Sequence, residues 1–444
     1  MQTVALRLDP RWVVPIVPRG ALTGHSVIVD DGRIVAVVPV AEAERDYDAA
    51  EHLLLPTHAL LPGLVNAHTH AAMSLLRGSA DDIALAPWLQ DHIWPRERAF
   101  LSPEFVHDGT LLAAAEMLGG GITCCNDQYF FPDAAARAYQ ASGMRAMLGL
   151  AVLDFPTAYA VDADGYLQAG LAARDRWKHE PLLRFSLAPH APYTVSDASW
   201  NKIVVYARQL DLPIQTHLLE TGDERGRSIA EFGIDPLRRL VGLGVTGPDF
   251  IAVHGTHLVA ADIELLAAHA CHVVHCPVSN LKLASGIAPV TELMRRGVNV
   301  ALGSDGAASN NRLDVFGEAR TAALLAKGVS GDAGAIPAAD ALQMATLNGA
   351  RALGLERDIG SLEADKQADL IAVDLGAVAH APCYDPVSHL VHVTGRDQVT
   401  DVWVAGRRVV AERRLTRIDV EELAARVLFW QDRLQAQQTP PAAQ

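Results

Sequence analysis

Between about residues 60 and 355, short apolar runs alternate with Ala- and Leu-rich stretches of helical periodicity. No other feature of the chain limits its fold as much. The strand candidates are residues 59–65, 121–126, 145–150, 183–188, 213–217, 250–254, 272–275 and 298–303. The segments between them, such as 105–118 and 261–269, repeat apolar residues at helical spacing. Eight such units predict an α/β chain folded as a (β/α)8 TIM barrel, whose functional side chains gather at the C-terminal strand ends. The competing architecture is an open, doubly wound sheet. No GxGxxG turn follows the first strand, which weakens its dinucleotide-binding form.

The two ends of the chain share a different texture. Ser26-Val-Ile-Val-Asp and Arg33-Ile-Val-Ala-Val-Val flank Asp31-Gly32, a strong hairpin signal. Short strands return at Ala368-Asp-Leu-Ile-Ala-Val-Asp, Asp401-Val-Trp-Val and Arg408-Val-Val. Residues 1–59 and 356–418 are therefore expected to build one small composite β-sandwich domain, with the barrel, 60–355, inserted between them. Residues 419–434 predict a last helix, and the polar, Pro- and Ala-rich stretch 435–444 a disordered tail.

A net charge of −15 argues against phosphate-based nucleic-acid binding, which needs a basic surface. Five irregularly spaced cysteines do not make a disulfide framework, and a reducing compartment follows. Neither a secretory leader nor a membrane-spanning apolar run is read. The expectation is a cytoplasmic protein with no membrane partner.

The first barrel strand ends in Asn66-Ala-His68-Thr-His70. On a strand, residues i and i+2 face the same way, so the two imidazoles can share one divalent ion. A solvated strand end is the plainer reading of this pair alone. His190, His217, His254 and Asp305 fall at four further predicted strand ends. Singly, each histidine reads as a hydrogen-bonded structural residue, and Asp305 as a helix cap. Together with His68 and His70 they form one constellation at the rim where a barrel builds its site. Glu220, three residues past His217, is placed either to shuttle a proton or to stand as a solvated charge at a helix start. A rival cluster, Cys271-His272-Val-Val-His275-Cys276, does not match structural zinc spacing. Cys124–Cys125 reads as buried packing, and the helical HxE…PCxxC deaminase pattern is absent.

Pro62-Gly-Leu-Val-Asn-Ala-His-Thr-His70 with His217, His254 and Asp305 resembles the amidohydrolase superfamily over nearly the whole chain. Ser74-Leu-Leu-Arg-Gly, Leu187-Ala-Pro-His-Ala-Pro-Tyr, His217-Leu-Leu-Glu-Thr, Cys276-Pro-Val-Ser-Asn-Leu-Lys and Gly303-Ser-Asp-Gly-Ala-Ala-Ser-Asn-Asn resemble its 5-methylthioadenosine/S-adenosylhomocysteine deaminases. The resemblance implies one zinc, or iron, per subunit held by His68, His70, His217 and Asp305. It implies that Glu220 carries a proton from the attacking water to the purine ring nitrogen, and that Asp305 also accepts a hydrogen bond from that water. It implies that His254 orients the attacking water and the tetrahedral intermediate, that His190 contacts the purine, and that Glu97 grips the ribose hydroxyls. The activity implied is hydrolytic deamination of an adenosine-type nucleoside by a homo-oligomer.

One departure bears on the substrate. Relatives that accept adenosylhomocysteine tend to carry an arginine on the strand after Arg145, and here that stretch reads Met147-Leu-Gly-Leu-Ala. Without its bidentate partner a carboxylate binds poorly. 5′-Methylthioadenosine is therefore expected over adenosylhomocysteine, with Arg174 or Arg176 as substitutes. The alternatives are a heteroaromatic hydrolase (triazine, guanine or a related base) and a non-catalytic barrel serving as an interaction protein.

Overall fold

The computed structural model describes residues 1–438. Its middle segment forms the eight-stranded parallel barrel. The strands are β1 (Leu64–Thr69), β2 (Ile122–Tyr129), β3 (Arg145–Val152), β4 (Leu183–Pro189), β5 (Ile214–Leu218), β6 (Phe250–His254), β7 (His272–His275) and β8 (Asn299–Leu302), each beside the next. They are buried almost end to end, as parallel strands covered on both faces must be. Val65, Ala67, Cys124, Met147, Ile251, Val253, Val274 and Ala301 fill the interior, and Leu353, Leu355 and Ile359 pack with them.

The barrel closes between β8 and β1 by individual hydrogen bonds. Ser304 N donates to Asn66 Oδ1 at 2.8 Å, and Asp305 N donates to the His68 carbonyl at 3.1 Å. Gly303 permits this approach, because a Cβ there would lie 2.8 Å from Val274 Cγ1 and 2.9 Å from the His68 carbonyl oxygen. The same contacts that close the barrel thus place Asp305 beside His68.

The chain ends form a nine-stranded mixed sheet. Gln2–Val13 lies parallel to Tyr47–Pro62 and antiparallel to His25–Asp30, and Leu370–Asp374 joins antiparallel to Tyr47–Pro62. Its two arms share a core that includes Leu8, Val27, Ile34, Leu60, Leu370 and Trp403, which makes it the small sandwich. Asp31 and Gly32 turn the hairpin with φ of 45° and 73°, the two positive values a type I′ turn needs.

The run 59–65 is not one strand. Residues up to Pro62 belong to the outer sheet and Leu64 begins the barrel. Gly63 sits so close to Thr123 that a Cβ would overlap its side chain, and Gly63 N donates to the Asp369 carbonyl at 2.9 Å. The last helix, Val420–Gln438, docks on the barrel through Trp430 Nε1, which donates to Asp108 Oδ2 at 2.9 Å. It takes in Gln435 to Gln438, part of the expected tail, while residues 439–444 lie outside the described ones. No described helix is long and apolar enough to cross a membrane.

Candidate active site

His68, His70, His217, His254 and Asp305 meet at the C-terminal mouth of the barrel. His68 Nε2 and His70 Nε2 lie 3.6 and 3.2 Å from Asp305 Oδ1. The His68 ring stands 4.8 Å from that of His70 and 5.0 Å from that of His217. His217 and His254 stack at 5.5 Å.

Partners behind the rings fix what each presents. His70 Nδ1 meets the Gln128 carbonyl at 2.6 Å, and His217 Nδ1 meets the His190 carbonyl at 2.6 Å. A carbonyl only accepts, so both Nδ1 atoms carry the proton and both Nε2 atoms keep a lone pair. Those two Nε2 atoms face each other at 3.3 Å. His68 Nε2 is buried with no hydrogen-bond partner, while its Nδ1 faces Gln215 Oε1 at 3.3 Å. Asp305 Oδ2 accepts from Ser279 Oγ at 2.6 Å and Ser309 Oγ at 2.7 Å, leaving Oδ1 to the histidines. Three bare nitrogens and one carboxylate oxygen in a buried cluster repel one another unless a cation lies among them. The donor set fits a divalent metal.

His254 differs. Asn280 Nδ2 donates to its Nδ1 at 2.9 Å, so Nε2 carries the proton and points toward Glu220 Oε2 at 3.7 Å. Burial pushes its pKa down to about 3, against the pull of Asp305. It is therefore a neutral donor.

Beyond this cluster opens a cavity of about 570 Å³, lined by Glu97, His190, His217, Glu220, His254 and Asp305 among apolar walls that include Trp88, Phe130 and Phe155. Burial, reinforced by the Asp305 and Glu224 carboxylates, pushes the Glu220 carboxyl well above its ordinary value. Burial raises Glu97 to about 7, although Tyr129 OH donates to its Oε1 at 2.6 Å. Burial would raise Asp305 too, but the His68 and His70 imidazoles beside it favour its charged form and hold it well below the usual range.

Against known proteins, the sequence profile of the amidohydrolase family matches residues 59–409. The chain belongs to the amidohydrolase family. A 5-methylthioadenosine/S-adenosylhomocysteine deaminase from Teredinibacter turnerae is 48% identical over 98% of each chain. A zinc-bound adenosine deaminase structure from Xanthomonas campestris is 49% identical, covers 98% of this chain and 99% of its own, and superposes with a TM-score of 0.96. The zinc-bound atrazine chlorohydrolase from Arthrobacter aurescens shares the fold at a TM-score of 0.89 and 23% identity, over 96% of this chain and 99% of its own.

Several working parts of this amidohydrolase escaped the sequence reading. Glu224 accepts from the backbone N–H groups of Leu219, Glu220 and Thr221 at 2.8, 2.8 and 3.0 Å, and so fixes the turn that carries Glu220. Its signal was present as Thr221-x-x-Glu224, a capping-box spacing at a helix start. Ser279, Asn280 and Ser309 lie within the family-like stretches of the sequence, which gave them no role. Arg174 pairs with Asp175 and Arg176 with Asp133, and neither lines the cavity. The Cys271–Cys276 run forms no metal cluster among the described residues. Cys124 and Cys125 are buried thiols; burial raises Cys124 to about 12 and pushes Cys125 well above its ordinary value.

Proposed function

We propose that this amidohydrolase removes the 6-amino group of an adenosine-type nucleoside by hydrolysis, releasing ammonia and the inosine analogue. The observation that carries the reading is the juxtaposition of a His68–His70–His217–Asp305 donor set with a buried Glu220 in one cavity. 5′-Methylthioadenosine is the substrate the apolar walls suit, and the names of the relatives support it.

His68, His70, His217 and Asp305 would hold one zinc. Bound there, a divalent ion lowers the pKa of a water toward about 7 and makes a nucleophile available at neutral pH. Asp305 accepts a hydrogen bond from the attacking water. Glu220, whose carboxyl burial pushes well above its ordinary value, carries a proton from the attacking water to the ring nitrogen beside the attacked carbon, which relieves charge as the ring loses aromaticity. His254 donates from Nε2 to the oxygen of the tetrahedral carbon. His190 contacts the purine, and Glu97 takes the two ribose hydroxyls with its two oxygens.

Ammonia release from a panel of adenosine analogues and free bases by metal-replete protein tests this. Turnover of 5′-methylthioadenosine is expected. Turnover of triazines or guanine in its place would shift the reading to the heteroaromatic branch.

A further inference from the structure

Resting on that nucleoside reading for the part His254 plays, we propose that Asn280 is a positioning residue. It decides which ring nitrogen of His254 carries the proton, and so keeps His254 a donor rather than a further metal ligand. Two overlapping groups of ligand atoms meet at the barrel mouth, His68 with His70 and Asp305, and His68 with His217 and His254. Within each group the atoms lie no more than 4.8 Å from one another. By distance, then, His254 could share an ion with His68 and His217. A ring nitrogen that carries a proton has no lone pair to give, so the proton, not the distance, separates a ligand from a donor here.

The partners behind the four rings differ in one respect. Nδ1 of His70 and of His217 faces a backbone carbonyl, and Nδ1 of His68 faces Gln215 Oε1. That amide is locked with its oxygen forward, because Asn126 Nδ2 donates to Gln215 Oε1 and Gln215 Nε2 donates to Asn126 Oδ1, both at 2.9 Å. Three histidines thus have an acceptor behind them, which leaves Nε2 bare. Behind His254 stands a donor, Asn280 Nδ2, at 2.9 Å. At the other end of that ring lies Glu220 Oε2, 3.7 Å from Nε2. A carboxylate there attracts an N–H and repels a lone pair, so both ends favour the proton on Nε2. Asn280 is built in for this task. It is 1% exposed, on the short helix Pro277–Lys282 that follows β7. Its N donates to the Cys276 carbonyl at 3.1 Å, and its carbonyl accepts from Ser285 N at 2.9 Å. On the same turn Ser279 donates to Asp305 Oδ2. Neighbouring residues therefore set which oxygen of Asp305 and which nitrogen of His254 is left bare.

The test begins with nitrogen NMR of zinc-loaded wild type carrying labelled histidine, the His254 signals being identified by their loss in His254→Gln. The expected spectrum has the proton on Nε2 and a bare Nδ1, and the reverse overturns the proposal without any Asn280 variant. Asn280→Asp then keeps the shape and replaces the donor with an acceptor. Beside a bound divalent ion a second positive charge on the ring is disfavoured, so the proton should move to Nδ1 rather than be added. The variant should lose about 100-fold in kcat, as removal of one oxyanion donor does, with KM changed by less than about twofold. Its zinc affinity, measured by competition with a chelator, should be no weaker than that of wild type, because His254 Nε2 is now free to bind. An Asn280→Asp variant that turns over normally, keeps its proton on Nε2, or loses zinc along with turnover overturns the positioning role. A wild type that releases no ammonia from 5′-methylthioadenosine would remove the nucleoside reading instead, and the spectra and zinc affinities would still decide the role of Asn280.

Discussion

At Glu220 the proposed chemistry depends on a carboxyl that can pass a proton, and burial raises its affinity for one. Glu220→Gln preserves the shape and removes the transferable proton. The variant should retain its metal, measured by elemental analysis, and lose about 100-fold or more in kcat. A metal-loaded variant with near-normal turnover would remove Glu220 from the reaction. Glu97→Gln should cost a nucleoside far more kcat/KM than it costs a free base, because only the nucleoside has a ribose to grip. His68 and His70 were legible because two-residue spacing is a strand's own signature, and Asp305 because it follows an apolar run. The aim of His254 was not. Ile251 and Val253 fill the barrel, so plain alternation turns residue 254 outward. A φ of +71° brings it back over His217.

The elements that carry the site are held by contacts between loops far apart in sequence. Glu318, on the helix Val315–Ser330, accepts from Val278 N at 3.2 Å and Asn310 Nδ2 at 2.6 Å, tying the turns after β7 and β8 together. Burial raises its carboxyl to about 8 from an ordinary 4.5, so the folded state favours the protonated form. That contribution to stability is complete below about pH 4.5 and is lost as pH rises through about 8. Thermal melts should show wild type losing stability relative to Glu318→Gln over this window, and parallel curves would contradict the assignment. Gly303→Ala should lower both the melting temperature and the metal content, because the added Cβ strikes Val274 and the His68 carbonyl. Strand and helix periodicity was legible throughout. The break at Gly63 was not, because it comes from a close approach to Thr123 that no local pattern records.

Across the whole molecule the barrel and the outer sheet behave as one packed body. Arg145 of β3 makes two hydrogen bonds to Asp369, both at 3.0 Å, with side chains 2% and 1% exposed. Arg145→Met leaves that carboxylate buried without its cation and should cost about 3–5 kcal/mol, read from the denaturant midpoint. The barrel and the split terminal sheet could be read from texture alone, whereas this ion pair joins residues 224 apart in sequence. The central claim, that side chains from His68 to Asp305 gather around one cation to direct water at a purine, meets its most direct test in a titration. Protein stripped by chelation is titrated with zinc while ammonia release from 5′-methylthioadenosine is followed. The account predicts no turnover at the start and a linear rise that breaks at one zinc per chain. Turnover indifferent to chelation, or none at full zinc occupancy, would contradict it.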